Sequence, residues 1–331
     1  VPAGPQLSLF GASPASADVA PVDDPATRDL AMRVPSFVRL GTSSWTFPGW
    51  AGLVYAGKPT QAQLVASGLR AYARHPLLRT VGIDRSHYAP LTDTELAAYA
   101  AQLPPGFLAV SKVWDEVTTL VFPKHPRFGA RAGARNERFL DPEIALESVV
   151  APYQRSFAAH AGPMLLEIPP LPRDAAVPAR SFLEGLDRFL AAMPRSFCWA
   201  VELRSRELFS RSYLDVLARH GAAHVLNFWS AMPTVGRQMA IPGILTAPFV
   251  VCRLLLPPGT SYEAMREEFA PFDRIVSPQL EMRADVVRLA RACERAGRTL
   301  FVLVNNKAEG SSPLTILALA RALADDFTCG R

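Results

Sequence analysis

Six charged residues, Asp84, Lys112, Glu167, Glu202, Arg204 and Arg253, each stand at or just past the end of a short apolar run. The pattern is plainest in Ala200-Val201-Glu202-Leu203-Arg204. Side chains two apart on a strand share a face, so the carboxylate and the guanidinium aim the same way. Gathered at one end of a parallel barrel, such groups would fill the carboxyl-terminal mouth, where these barrels keep their chemistry.

Lys112, Arg204 and Arg253 could hold an anionic ligand such as phosphate, carboxylate or a sugar phosphate, with the arginines supplying forked donors. Glu202 would then act as general base or orient Arg204, which makes Glu202, Lys112 and Arg204 the candidate catalytic groups. Trp45, Asp84, His87, Tyr88, Glu167, Arg253, Asn305 and Asn306 would contact the ligand. Weak phosphodiester cleavage and binding without turnover are both open. A second chemistry uses Glu167 and Glu202 on adjacent strands about 4.8 Å apart. That approaches the carboxyl spacing of retaining glycosidases and points to a carbohydrate-active hydrolase. The bland alternative is a structural network in which the charges neutralise one another. No cofactor is evident. His87 and His224 are the only histidines placed at strand ends, too few for a metal cluster, although magnesium could enter through a substrate phosphate.

The runs that must position these groups are 37–41, 78–83, 107–111, 164–168, 198–203, 223–227, 249–254 and 299–304. Each is nearly continuously apolar, as parallel strands covered on both faces should be. Between them, Thr92 with Glu95 reads as a capping box, Asp141-Pro142 as an N-cap and first helical residue, and Gly221 and Gly297 as helix stops. Eight strand-helix units over about 290 residues predict an α/β fold, a (β/α)8 TIM barrel preceded by a flexible N-terminal tail. A doubly wound open sheet is the alternative, but no glycine-rich phosphate fingerprint follows the first strand. Residues 113–140 intersperse Lys124, Arg127, Arg131, Arg135 and Arg138 with Phe122, Phe128 and Phe139. They would grip a nucleic-acid backbone and stack on bases, or form a solvated excursion pinned by its phenylalanines.

The chain has 331 residues, 49% of them hydrophobic and 20% charged, which supplies a sizeable core and excludes disorder for most of it. Its net charge of +5 is unevenly placed. Residues 1–36 hold Arg28 and Arg33 against Asp18, Asp23, Asp24 and Asp29, so the remainder is the more basic part. That surplus suits phosphate-rich partners such as DNA or a phosphorylated small molecule, and equally suits solubility. The four cysteines show no metal-ligand spacing and read as reduced thiols. No apolar run reaches the roughly 18 residues of a membrane span, and the start lacks the basic lead and apolar stretch of a secretory signal. A cytoplasmic protein with no membrane partner is expected. Residues 1–36, rich in Pro, Ala, Ser and Asp, are expected to be a flexible tail, 37–326 the barrel, and 327–331 a short C-terminal tail. Within the first tail, Gln6-Leu7-Ser8-Leu9-Phe10 looks like the peptide by which bacterial DNA polymerases and repair proteins dock on the sliding clamp. Gln6, Leu7, Leu9 and Phe10 are the candidate clamp-binding residues; otherwise the segment folds back over an apolar patch.

Several motifs follow one another between residues 38 and 324. They are Leu40-Gly41-Thr42-Ser43-Ser44-Trp45, Gly82-Ile83-Asp84-Arg85-Ser86-His87-Tyr88, Val110-Ser111-Lys112, Glu167-Ile168-Pro169-Pro170, Val201-Glu202-Leu203-Arg204 and Val304-Asn305-Asn306 with Gly310. Together they resemble the YecE-like family, TIM-barrel proteins known as a domain of unknown function. The resemblance implies that barrel and transfers the family's polar strand-end positions onto Lys112, Glu202, Arg204, Arg253, Asn305 and Asn306. The chain also departs from the pattern. Asp84, Ser86 and His87-Tyr88 stand where the family usually has Glu-x-Asn-x-x-Phe-Tyr, Glu167 where Gln-Leu-Pro-Pro is common, and Arg253-Leu254-Leu255-Leu256 where Arg-x-His-Gly is usual. The Glu167 change sets the paired carboxylates outside the family's common machinery. The last removes a histidine that would have served as acid or base. A divergent subgroup with altered substrate would show such changes.

Overall fold

The computed structural model describes residues 18–170 and 179–328. Eight parallel strands close into one barrel in chain order: β1 (Val38–Thr42), β2 (Thr80–Ile83), β3 (Leu108–Lys112), β4 (Ala161–Ile168), β5 (Trp199–Leu203), β6 (Ala223–Phe228), β7 (Phe249–Leu254) and β8 (Thr299–Val304), with β8 pairing back onto β1. The described helices are α1 (Pro25–Arg33), α2 (Gln61–Arg74), α3 (Asp93–Ala100), α4 (Asp115–Thr118), α5 (Pro142–Ala145), α6 (Ala151–Ser156), α7 (Ala179–Ala192), α8 (Arg211–His220), α9 (Val235–Met239), α10 (Tyr262–Phe269), α11 (Leu280–Arg295) and α12 (Ser312–Thr328). The (β/α)8 barrel expected from the eight apolar runs is the observed fold.

Alternation along the strands explains both the apolar runs and the site. Val110, Leu165, Ala200, Val225, Val251 and Leu303 pack together inside the barrel. Two residues farther along each strand, the same face carries Lys112, Glu167, Glu202, Asn227, Arg253 and Asn305. All six side chains are thereby lifted to the carboxyl-terminal mouth. Residues of the opposite parity, including Leu40, Ile83, Leu166, Val201, Cys252 and Val302, belong to the core under the helices. At β1 the neighbouring strand comes so close that a Cβ on Gly41 would lie 2.0 Å from the Thr80 carbonyl oxygen, which accounts for glycine there.

The helix signals act as read. Thr92 and Glu95 form a reciprocal capping box, Asp141 accepts from the N–H groups of Glu143 and Ile144, and Gly221 takes the left-handed conformation at φ 64°. β4 starts at Ala161, earlier than the expected 164–168, because Pro163 falls beside a register irregularity between β3 and β4, where a residue without an N–H is tolerated.

The expected tail boundary needs correction. Residues 25–33, inside the stretch assigned to a flexible tail, form α1. Asp24 caps it ahead of Pro25, Leu30, Ala31 and Val34 are buried, and α1 packs on α12. Three apolar residues on one helical side suffice for docking, although the surrounding composition resembles a linker. Arg79 fixes the end of α1 by donating to the carbonyls of Ala31 (2.6 Å) and Pro35 (3.1 Å). Gln6, Leu7, Leu9 and Phe10 lie outside the described residues. Among those described, no helix is long and apolar enough to cross a membrane.

Candidate functional site

Glu167 and Glu202 are register partners on β4 and β5, and both accept from Nη1 of Arg253 on β7. The Glu167 bond measures 2.9 Å. Arg204 closes the arrangement from the rim, with Nη2 2.8 Å from Glu167 Oε2 and Nε 3.1 Å from Glu202 Oε1. Lys112 Nζ lies 3.0 Å from Glu167 Oε2 and 3.4 Å from Asp84 Oδ1, while Arg253 Nη2 is 3.6 Å from the same Asp84 oxygen. Lys112, Arg204 and Arg253 thus face Asp84, Glu167 and Glu202 in equal number. Of the readings open from sequence, the network in which charges neutralise one another describes these six side chains: the three cations are matched by the mouth's own carboxylates.

Glu202 is fully buried, and both its oxygens are occupied, Oε1 by Arg204 and Asn227 and Oε2 by Arg253. Of its two expected roles, orienting Arg204 is the one the geometry supports. Burial alone would raise the Glu167 pKa, but Arg204, Lys112 and Arg253 hold it well below the usual carboxylate range. A glycosidase acid needs the opposite shift. Burial would likewise lower Arg253, yet Glu202, Asp84 and Glu167 raise it above its ordinary value.

Donors nevertheless remain unoccupied around this neutral lattice. Arg204 lies over the Trp229 ring with its guanidinium carbon 4.3 Å from the centroid, and its side chain keeps 14% exposure. Among the described residues its Nη1 has no hydrogen-bond partner. Arg253 Nε and His87 Nδ1 are buried and also unpartnered. Lys307, a strand-end residue given no role from sequence, is buried just past β8. Its Nζ rests 4.0 Å from the Tyr262 ring centroid and 3.5 Å from Asn305 Oδ1, with no carboxylate pairing among the described residues. The sequence signal for it was its place in the loop after the eighth strand, a usual phosphate-binding position in such barrels.

The remaining expected site residues divide. Asp84 and Asn305 are at the mouth, and Tyr88 is exposed beside it, stacked against Arg127. Trp45 is not at the mouth: it is buried against the Tyr99 edge in the helix layer, 5.3 Å between centroids. Asn306 is engaged structurally, its Oδ1 accepting from Trp50 Nε1 (3.2 Å) and from the Ser312 N–H at the start of α12 (2.9 Å). His224 sits at the amino end of β6 and meets Tyr213 Oη at 3.1 Å, far along the strand from the mouth. In the 113–140 segment, Arg127 pairs with Asp115 and Arg131 with Glu116, and the Phe122 and Phe128 rings pack together. Those two arginines are tied to carboxylates of the same segment, which offsets part of its positive charge. No group of three or more His, Cys, Asp or Glu among the described residues could hold a metal ion.

Burial lowers the His87 pKa from 6.5 to about 4, and does the same for His75 and His224. Since the folded value lies below the unfolded one, the stabilisation is complete above pH 6.5 and is lost as pH falls toward 4. Unfolding near pH 5 should therefore take up about three protons onto these rings, and about two in His87→Gln. The slope of unfolding free energy against pH measures this; an unchanged slope in the variant would mean that His87 is already protonated in the fold.

Fold and site together define a (β/α)8 barrel with a buried, charge-matched mouth. The chain belongs to the DUF72 family, described as a protein of unknown function, whose model matches residues 39–329. Among solved structures it is similar to a DUF72 family protein from Thermotoga maritima, with 18% identity, 86% of this chain and 98% of that chain covered and a TM-score of 0.59. A DUF72 family protein from Enterococcus faecalis gives 16% identity, 87% and 95% coverage and a TM-score of 0.58. At these identities the likeness establishes the fold alone. No curated protein matches the chain.

Proposed function

We propose that the carboxyl-terminal mouth binds a small molecule bearing one phosphate or carboxylate group. The observation that carries this reading is Arg204, fixed by Glu202 and Glu167 through two nitrogens and laid on Trp229, with Nη1 left for a ligand. Lys307 adds one cation beyond the three matched pairs, which suits a single anionic group. A polyanion such as duplex DNA gains affinity from many unpaired cations releasing counterions, and this mouth offers few. Magnesium would enter with the ligand's phosphate. The clamp-docking proposal rests on Gln6, Leu7, Leu9 and Phe10 alone; binding of a purified clamp that survives Leu9→Ala with Phe10→Ala would overturn it.

A ligand-observed NMR screen of phosphomonoesters, small carboxylates, neutral oligosaccharides and duplex DNA tests the mouth. Hits among the first two classes are expected. Hits confined to DNA or to neutral sugars would contradict the proposal.

A further inference from the structure

At the opposite, amino-terminal end of the barrel an open cleft of about 430 Å³ lies between the start of β1 and the loops entering β2 and β3. Its lining includes Arg39, Arg74, Arg79, His75, Gly106 and Phe107, and contains no carboxylate among the described residues. None of the three arginines forms an ion pair among the described residues.

Each guanidinium is held differently. Arg79 is occupied by the carbonyls that end α1, so it is fixed in place with its charge only partly offset. Arg39 enters the barrel floor, half-buried, with its guanidinium carbon 5.8 Å from the Phe301 centroid and a bond from Nη1 to the Gly106 carbonyl (3.1 Å). Arg74 is exposed at the end of α2 and has no hydrogen bond or ion pair among the described residues. Burial pulls the Arg39 and Arg79 pKa values down, and the Arg39 charge depresses Arg79 further. Like charges brought together out of water without an acid raise the energy of the fold unless an anion offsets them. In these barrels the amino-terminal face ordinarily serves stability; the Arg79 hydrogen bonds to the end of α1 do so, but the Arg39 charge set beside Arg79 without an acid does not.

We infer that this cleft is an anion site for the phosphate group of a small molecule, with Arg39 and Arg74 as the binding cations and Arg79 as a fixed neighbour. A planar guanidinium offers paired donors to phosphate oxygens. The cleft falls within the roughly 300–1,000 Å³ range of small-ligand sites, larger than phosphate alone requires. The site is independent of the mouth, which lies at the other end of the strands.

The test is calorimetric titration of inorganic phosphate and of glycerol 3-phosphate into the full chain carrying Arg204→Gln and Lys307→Met, which remove both cations that the proposed mouth site relies on. Saturable binding should persist there and weaken roughly tenfold or more on adding either Arg39→Gln or Arg74→Ala. Arg74→Ala alters an exposed, unpartnered side chain, so its result does not depend on folding. Tighter binding of glycerol 3-phosphate than of phosphate would assign the rest of the cleft to the ligand's organic part; binding of phosphate without binding of glycerol 3-phosphate would overturn the assignment to a small molecule's phosphate group. Absence of phosphate binding, affinity unchanged in both variants, or a DNA oligonucleotide binding these arginines where phosphate does not, would overturn the inference.

Discussion

Arg253→Met is expected to cost about 3–5 kcal/mol of folding stability, the penalty for removing one partner of a buried charge network. Arg253 is among the largest fully buried side chains, and it alone touches Glu202, Glu167 and Asp84 together. Methionine fills much of its volume but leaves Glu202, fully buried, facing only Arg204 and Asn227. Lysine should recover part of the loss, because it keeps the charge but not the fork that reaches two carboxylates. Adding Glu202→Gln to Arg253→Met should cost less than the sum of the two single changes, since the pair acts as a unit. Denaturant unfolding of wild type, the three single variants and the double variant measures this. A loss below about 1 kcal/mol in Arg253→Met would mean that the charges are hydrated rather than paired.

Arg204→Gln should have the complementary signature. Its partly exposed rim position predicts a smaller folding cost, while removal of a desolvated charged contact to a bound anion should weaken binding by about 2 kcal/mol or more, roughly 30-fold. Lys307→Met should also weaken binding of an anionic hit, with little change for a neutral sugar. Methionine keeps the contact with Tyr262 and removes only the charge. Equal affinities in wild type, Arg204→Gln and Lys307→Met would place the ligand elsewhere.

The barrel was legible because its code is local: eight apolar runs, each with turn and cap signals at its edges. The mouth was legible for the same reason, since Lys112, Glu167, Glu202 and Arg253 each lie two residues beyond an interior apolar side chain. Pairing was not legible. Whether Lys112 and Arg204 face a ligand or Glu167 depends on side-chain reach across strands, which spacing does not encode. Trp45 and His224 show a second limit. A tryptophan just past a strand can turn outward into the helix layer, and a histidine belongs to the mouth only at the carboxyl end of its strand. Docking of α1 on α12 was hidden because three apolar residues in a proline- and aspartate-rich stretch hardly alter its composition.

The most direct measurement is arginine side-chain NMR on the full chain, following the Arg204 guanidinium resonances while a phosphomonoester hit is titrated. Arg204 should shift and saturate together with ligand binding, and Arg253, sealed beneath it, should shift less. A hit that binds with the Arg204 resonances unmoved would contradict the mouth as the binding site.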